Sequence, residues 1–175
     1  ALGAPEGAKV VVLGSSLGWL CFYFAAVHGA RAHGIEILPS LVRHAEGTAA
    51  AARIDGATFE CADILGPEVG PKIADADVVV LTSQCWDVHL RERVKARLLQ
   101  RMKADALAVD YTPRLGDDDH AGRRFALAAT AVAPVSWDAG LTFHVWRVEE
   151  AALKSELGAD LYTGVSAAVG PDGPR

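Results

Sequence analysis

The run Val10 to Leu13 is a stretch of four consecutive apolar residues, three of them β-branched, which is the pattern of a strand covered on both faces. Gly14-Ser15-Ser16-Leu17-Gly18 follows, with small residues where the chain must turn sharply and where a ligand can approach the backbone. A helix is expected next. Ser15 or Ser16 is placed to cap it, and Leu17, Leu20, Cys21 and Phe24 recur at helical spacing. Phe22, Tyr23 and Val27 make its other sides apolar as well, so it is expected to be well buried. His28 and Gly29 supply a stop signal. The second strand then ends at Glu36. An acid roughly 20 residues beyond a glycine loop is the usual holder of a ribose diol in nucleotide sites.

The loop spacing separates two kinds of nucleotide fold. A dinucleotide fingerprint would need glycine at position 19, which is Trp19; the small residues fall instead at 14, 16 and 18. Further segments keep the alternation of strand and helix. Pro39 suits the first turn of a helix whose buried stripe is Leu41, Val42, Ala45, Ala49 and Ala52, with Gly47 inside it. Ala57 to Cys61 reads as a third strand, followed by Asp63 and Ile64. Prolines at 67 and 71 leave room only for a short helix before Val78 to Leu81, a second fully apolar strand. Thr82-Ser83-Gln84-Cys85-Trp86-Asp87 follows it at the end where open α/β sheets bind ligands. A helix start with Asp87 as N-cap and Trp86 as a core plug is the competing account of that segment.

From Asp87 a long helix is expected to about Lys103, burying Leu90, Val94, Leu98 and Met102. Arg91, Arg93, Lys95, Arg97, Arg101 and Lys103 give it a basic side, read as a solvated face. Ala106 to Val109 is a fifth strand ending in Asp110 and Tyr111. The charged loop Gly116 to His120 lacks calcium-loop spacing, and no metal site is expected. Phe125–Ala133 and Leu141–Val148 are strands joined by too short a link for a parallel crossover, so they run antiparallel. A short helix and a tail are expected over 149–175.

Taken together, VVLGSSLGW, GIEILPSLVRHAEG, FECADIL and ADVVVLTSQCWD resemble, in order and spacing, the motifs of class I S-adenosylmethionine-dependent methyltransferases over roughly residues 9–148. GIEILPSLV and DVVVLTSQCWD look most like the non-SET histone-lysine methyltransferases within that superfamily. The resemblance implies one α/β domain, 1–175. Its mostly parallel, doubly wound sheet would have seven strands in the order 3-2-1-4-5-7-6, a C-terminal antiparallel hairpin and helices on both faces. It implies S-adenosyl-L-methionine as cofactor, held by Leu13, Gly14, Ser15, Ser16, Gly18, Glu36, Ile37, Asp63, Ile64, Ser83, Gln84 and Trp86. Ser16 stands for the family's middle glycine and Val12 for an acid usual in the first strand. The implied reaction is methyl transfer to an acceptor left open, a protein side chain or a small molecule. Catalytic residues are likewise left open, with Asp87, His89 and Tyr111 the nearby groups able to handle a proton. An inactive methyltransferase-like scaffold and an NAD-dependent oxidoreductase are the alternatives.

The net charge of −5 argues against a nucleic-acid partner, and no apolar run is long enough to span a membrane. Cys21, Cys61 and Cys85 are odd in number and lack metal-ligand spacing, which fits a reducing intracellular setting, cytoplasmic in the first instance.

Overall fold

The computed structural model describes residues 6–116, 122–135 and 138–150. Seven strands form one sheet in the order β3-β2-β1-β4-β5-β7-β6. They are β1 (Lys9–Leu13), β2 (Arg31–Glu36), β3 (Ala57–Cys61), β4 (Val78–Leu81), β5 (Leu107–Asp110), β6 (Arg123–Val135) and β7 (Asp138–Glu150). The first five are parallel, whereas β7 runs antiparallel to both β5 and β6. This is the topology expected from the sequence.

Alternation along the central strands divides the core in two. Val11 and Leu13 point to one face with Val79 and Leu81, under α3 (Gly70–Asp75) and α4 (Val88–Arg101). Val10 and Val12 point to the other with Val78 and Val80, under α1 (Trp19–His28) and α2 (Pro39–Ala52). Strands buried on both sides can be apolar throughout, which is why β1 and β4 read as unbroken runs. Among the described residues no α-helix follows β5. A 3₁₀ turn, Pro113–Gly116, stands there, so the described residues hold four helical crossovers rather than five. Beyond Glu150 the helix and tail expected at the C-terminus lie outside the described residues, as do Asp117–His120 of the charged loop.

Two helices depart from expectation. α1 is capped by Gly18 in the left-handed conformation with no side-chain bond, so neither Ser15 nor Ser16 serves as its N-cap. It is also not enclosed: Trp19, Tyr23 and Val27, one turn apart, are 69%, 51% and 61% exposed. Only Cys21 and Phe22 are buried. Burial pushes the Cys21 thiol up to about 12, so it stays protonated and inert at neutral pH.

The basic side of α4 is only partly a solvated face. Lys95 is buried. Arg91 donates to the Ser83 carbonyl at 2.8 Å. Arg97 donates to the carbonyls of Leu65 and Gly66 at 2.7 and 2.5 Å, closing the loop after β3. Arg97→Gln is therefore expected to cost about 1–2 kcal/mol, since hydrogen bonds to a charged group are the stronger kind. Arg93→Gln, on the exposed side, should change stability by less than about 0.5 kcal/mol. Urea midpoints of the two variants test the contrast.

Gly47 lies inside α2 with open space around its Cα. A methyl group there meets nothing and removes backbone freedom from the unfolded chain. Gly47→Ala should raise stability by about 0.5–1 kcal/mol, and a lower melting temperature would contradict the open geometry.

Candidate functional site

The sheet order reverses at β1, between β2 on one side and β4 on the other, and the loops after these strands meet there. Gly14 N–H and Ser15 N–H both donate to the Ile35 carbonyl, at 2.8 and 2.9 Å. The Thr82 hydroxyl sits 2.7 Å from the Gly14 carbonyl and 3.0 Å from that of Leu13, joining the loop after β4 to the loop after β1. A Cβ at Gly14 would fall 2.5 Å from that hydroxyl, so only glycine fits the junction.

The loop turns through three left-handed residues: Gly14 at φ 79°, Ser16 at 51° and Gly18 at 86°. Ser16 thus takes a glycine-like conformation at the position where the methyltransferase pattern has glycine. What holds it is Glu36. Its Oε2 accepts from Ser16 N–H at 2.9 Å and its Oε1 accepts from Leu38 N–H at 3.0 Å. The carboxylate is buried at 8% exposure, while Ile37 and Leu38 beside it are 62% and 52% exposed. The sequence places an acid here but does not reveal its role in fixing the loop. It offers one clue, the strain that a serine in the loop imposes.

The remaining expected residues divide by orientation. Leu13 is fully buried under the loop. Ser15 is buried against Gly34, and its hydroxyl has no hydrogen-bond partner among the described residues. Asp63 is exposed; its Oδ1 accepts from Leu65 N–H at 2.9 Å, which makes it a turn former as well as an open carboxylate. Ile64 is half-buried beside it. Gln84 is exposed, and Trp86 packs against the core while its ring faces Gly14. Asp87 caps α4, accepting from Leu90 N–H at 2.8 Å, so the competing account of this segment holds for Asp87. Ser83 is the residue that the structure moves. The sequence reading has it facing a ligand, yet it is fully buried and its hydroxyl donates to Asp110 Oδ1 at 2.5 Å.

Beyond β5, Tyr111 packs against Phe143 with ring centroids 5.3 Å apart. Desolvation, and then the neighbouring Asp110 charge, hold its phenol above the ordinary 10. A cleft of about 830 Å³ runs between α1 and the β6–β7 hairpin, its sides formed by Leu20, Phe24, Val109, Val145 and Ala128–Ala133. Leu81, Asp110 and Tyr111 form its end at the carboxyl termini of the strands. Among the described residues no His, Cys, Asp or Glu cluster could hold a metal, and no helix is long and apolar enough to cross a membrane.

No family model matches the chain. Solved structures do. An RNA methyltransferase from Salinibacter ruber, in complex with S-adenosyl-L-homocysteine, is 26% identical with a TM-score of 0.64, covering 86% of this chain and 86% of that one. A TehB-like methyltransferase from Corynebacterium glutamicum is 18% identical over 83% of both chains with a TM-score of 0.60. Magnesium protoporphyrin IX methyltransferase from Synechocystis, with the same product bound, is 16% identical over 81% of this chain and 74% of that one, with a TM-score of 0.60. The last two share the fold. Fold and site define a class I, Rossmann-like methyltransferase. The protein is an S-adenosylmethionine-dependent methyltransferase by class.

Proposed function

We propose that this chain methylates an uncharged group of a protein side chain or small molecule lying along the apolar cleft. The observation that carries this reading is the lining of the cleft where it meets the strand ends. Leu81 and Tyr111 are there with Asp110, whose carboxylate already accepts bonds from Ser83, Tyr111 N–H and Thr112. An anionic acceptor would have to give up its water there, and a protonated amine has no lone pair with which to attack the methyl group. The resemblance of GIEILPSLV and DVVVLTSQCWD to non-SET histone-lysine methyltransferases favours a lysine amine, taken in its neutral form, among side-chain acceptors.

The residues present fit the cofactor. Gly14, Ser15, Ser16 and Gly18 would offer backbone to the methionine portion, over Leu13. Glu36 would accept the ribose hydroxyls, because each of its oxygens keeps a second lone pair beyond the N–H it already binds. Ile37 and Ile64 would cover the adenine, with Asp63 accepting from its exocyclic amine. Gln84 and Trp86 would border the methionine end, and Ser83 would act only by shaping that turn. The bound cofactor supplies an electrophilic methyl on sulfur. The protein's own part is alignment, from which much of the rate of such a transfer comes. Tyr111, kept as a neutral phenol, could donate a hydrogen bond to the acceptor but would not take its proton. Asp87 is engaged as a helix cap.

Methyl-labelled S-adenosylmethionine, offered with separated protein, small-molecule and RNA fractions, tests the reading. Label is expected in protein or small molecules. RNA is the second reading, favoured by the Salinibacter ruber enzyme. Against it stands a net charge of −5, since RNA affinity draws on phosphate-neutralising Lys and Arg. Label confined to RNA would reverse the order of the two. The three free cysteines favour an intracellular, reducing compartment.

A further inference from the structure

We infer that Asp110 is a positioning residue that locks the loop after β4 onto the loop after β5, and so presets one border of the cofactor crevice. Its consequence for binding rests on the methyltransferase reading above; the lock itself does not. Asp110 is the last residue of β5 and is 4% exposed. Oδ1 accepts from Ser83 Oγ at 2.5 Å and from Tyr111 N–H at 2.8 Å, and Oδ2 accepts from Thr112 Oγ1 at 2.8 Å. Ser83 in turn is fully buried, and its carbonyl accepts from Arg91 of α4 at 2.8 Å. One buried carboxylate therefore ties together two loops that are 27 residues apart in sequence.

The tie matters because of the segment it anchors. Ser83–Cys85 is a single 3₁₀ turn, too short to hold its own place by backbone bonds. Gln84 is exposed on that turn, and Trp86 at its end faces Gly14. Together with the Thr82 hydroxyl on the Leu13 and Gly14 carbonyls, fixing Ser83 steadies the turn that carries Gln84 and leads to Trp86, whose ring faces Gly14. It also sets the start of the segment that carries Tyr111. Charge-assisted bonds to a buried carboxylate are strong and directional, which suits a residue whose task is placement.

Hydrogen exchange of the free protein, together with calorimetric titration by S-adenosylhomocysteine, tests this in Asp110→Ala, Asp110→Asn, Ser83→Ala and the Asp110→Ala/Ser83→Ala double variant. Asp110→Ala should speed exchange at residues 82–87 by about tenfold while Val10–Leu13 of β1 keep their protection. It should weaken S-adenosylhomocysteine by at least about fivefold, and the double variant should be worse than Asp110→Ala by no more than about twofold, since the bond that Ser83→Ala removes is already lost with Asp110. Asp110→Asn should stay within about twofold of the unaltered protein, because an amide still accepts from Ser83 and donates to the Thr112 hydroxyl. Unchanged exchange at 82–87 beside a lowered melting temperature would reduce Asp110 to a core residue and overturn the inference. Additive losses in the double variant would overturn it too. Faster loop exchange in Asp110→Ala, with no binding by the unaltered protein, would support the lock and refute the cofactor reading instead.

Discussion

Gly18→Val should destabilise the whole domain rather than only close a binding site. The sequence points to a steric block of the cofactor at this position, since the loop must let a ligand near its backbone. The structure adds a larger effect. Gly18 is the N-cap of α1 at φ 86°, a conformation that a β-branched residue adopts at a cost of about 1–3 kcal/mol. A Cβ there would also lie 2.6 Å from the Phe59 ring and 2.9 Å from that of Phe22, two side chains already packed edge to face. Overpacking of this kind costs about 1–3 kcal/mol more. The sum, about 2–6 kcal/mol, lowers the melting temperature by roughly 5–20 °C for a domain of this size. Gly18→Ala carries the same backbone strain and the same first contact with less bulk, and it should fall between the two. A Gly18→Val protein that melts like the unaltered one but fails to bind S-adenosylhomocysteine would restore the purely steric account.

That difference shows where the sequence was legible and where it was not. Strand identity followed from pattern, and strand order from the resemblance in motif order and spacing. The apolar runs of β1 and β4 need cover on both faces, and the short link before Leu141 forces β6 and β7 to be antiparallel. The acid at Glu36 and the glycine loop could be paired because both sit at the same end of adjacent parallel strands. Which way a side chain points could not be read where the backbone is irregular. Ser83 opens a 3₁₀ turn, where the alternation of a strand no longer applies, and it turns inward to Asp110. The surroundings of α1 were illegible for another reason. Helical spacing tells which residues share a face, but not whether a neighbour covers it, and Trp19, Tyr23 and Val27 face outward. Arg97 resembles any surface arginine in sequence. Only the loop carbonyls of Leu65 and Gly66, some 30 residues away, give it a structural task. Non-local contacts are what single-chain patterns omit.

Glu36→Ala should weaken S-adenosylhomocysteine binding by at least about tenfold, which corresponds to 1.4 kcal/mol. On the proposed reading two ribose hydroxyls would lose a charged acceptor, each such bond being worth about 1.5–3 kcal/mol. From the sequence alone the change should leave stability nearly intact, as an acid at a strand's open end lies outside the core. The structure corrects that expectation. The carboxylate is buried and accepts the N–H groups of Ser16 and Leu38, so its loss leaves two backbone donors without their partner. Both residues are themselves exposed, so water can replace part of what is lost, and about 1–2 kcal/mol of stability is the expected cost. Ser16 would then have less to hold it at φ 51°. Some of the lost affinity would therefore arise from a disordered loop rather than from missing ribose bonds. Glu36→Gln separates the two contributions. Its amide keeps one acceptor oxygen of similar shape, so it can hold one of the two N–H groups while losing the charge that would bind the diol. Melting temperature and calorimetric affinity, measured on both variants, give the division. Glu36→Gln should recover about half of the lost stability while remaining several-fold weaker than the unaltered protein in affinity. If Glu36→Gln instead binds S-adenosylhomocysteine as tightly as the unaltered protein, the carboxylate serves the loop alone. The ribose must then be held by other groups.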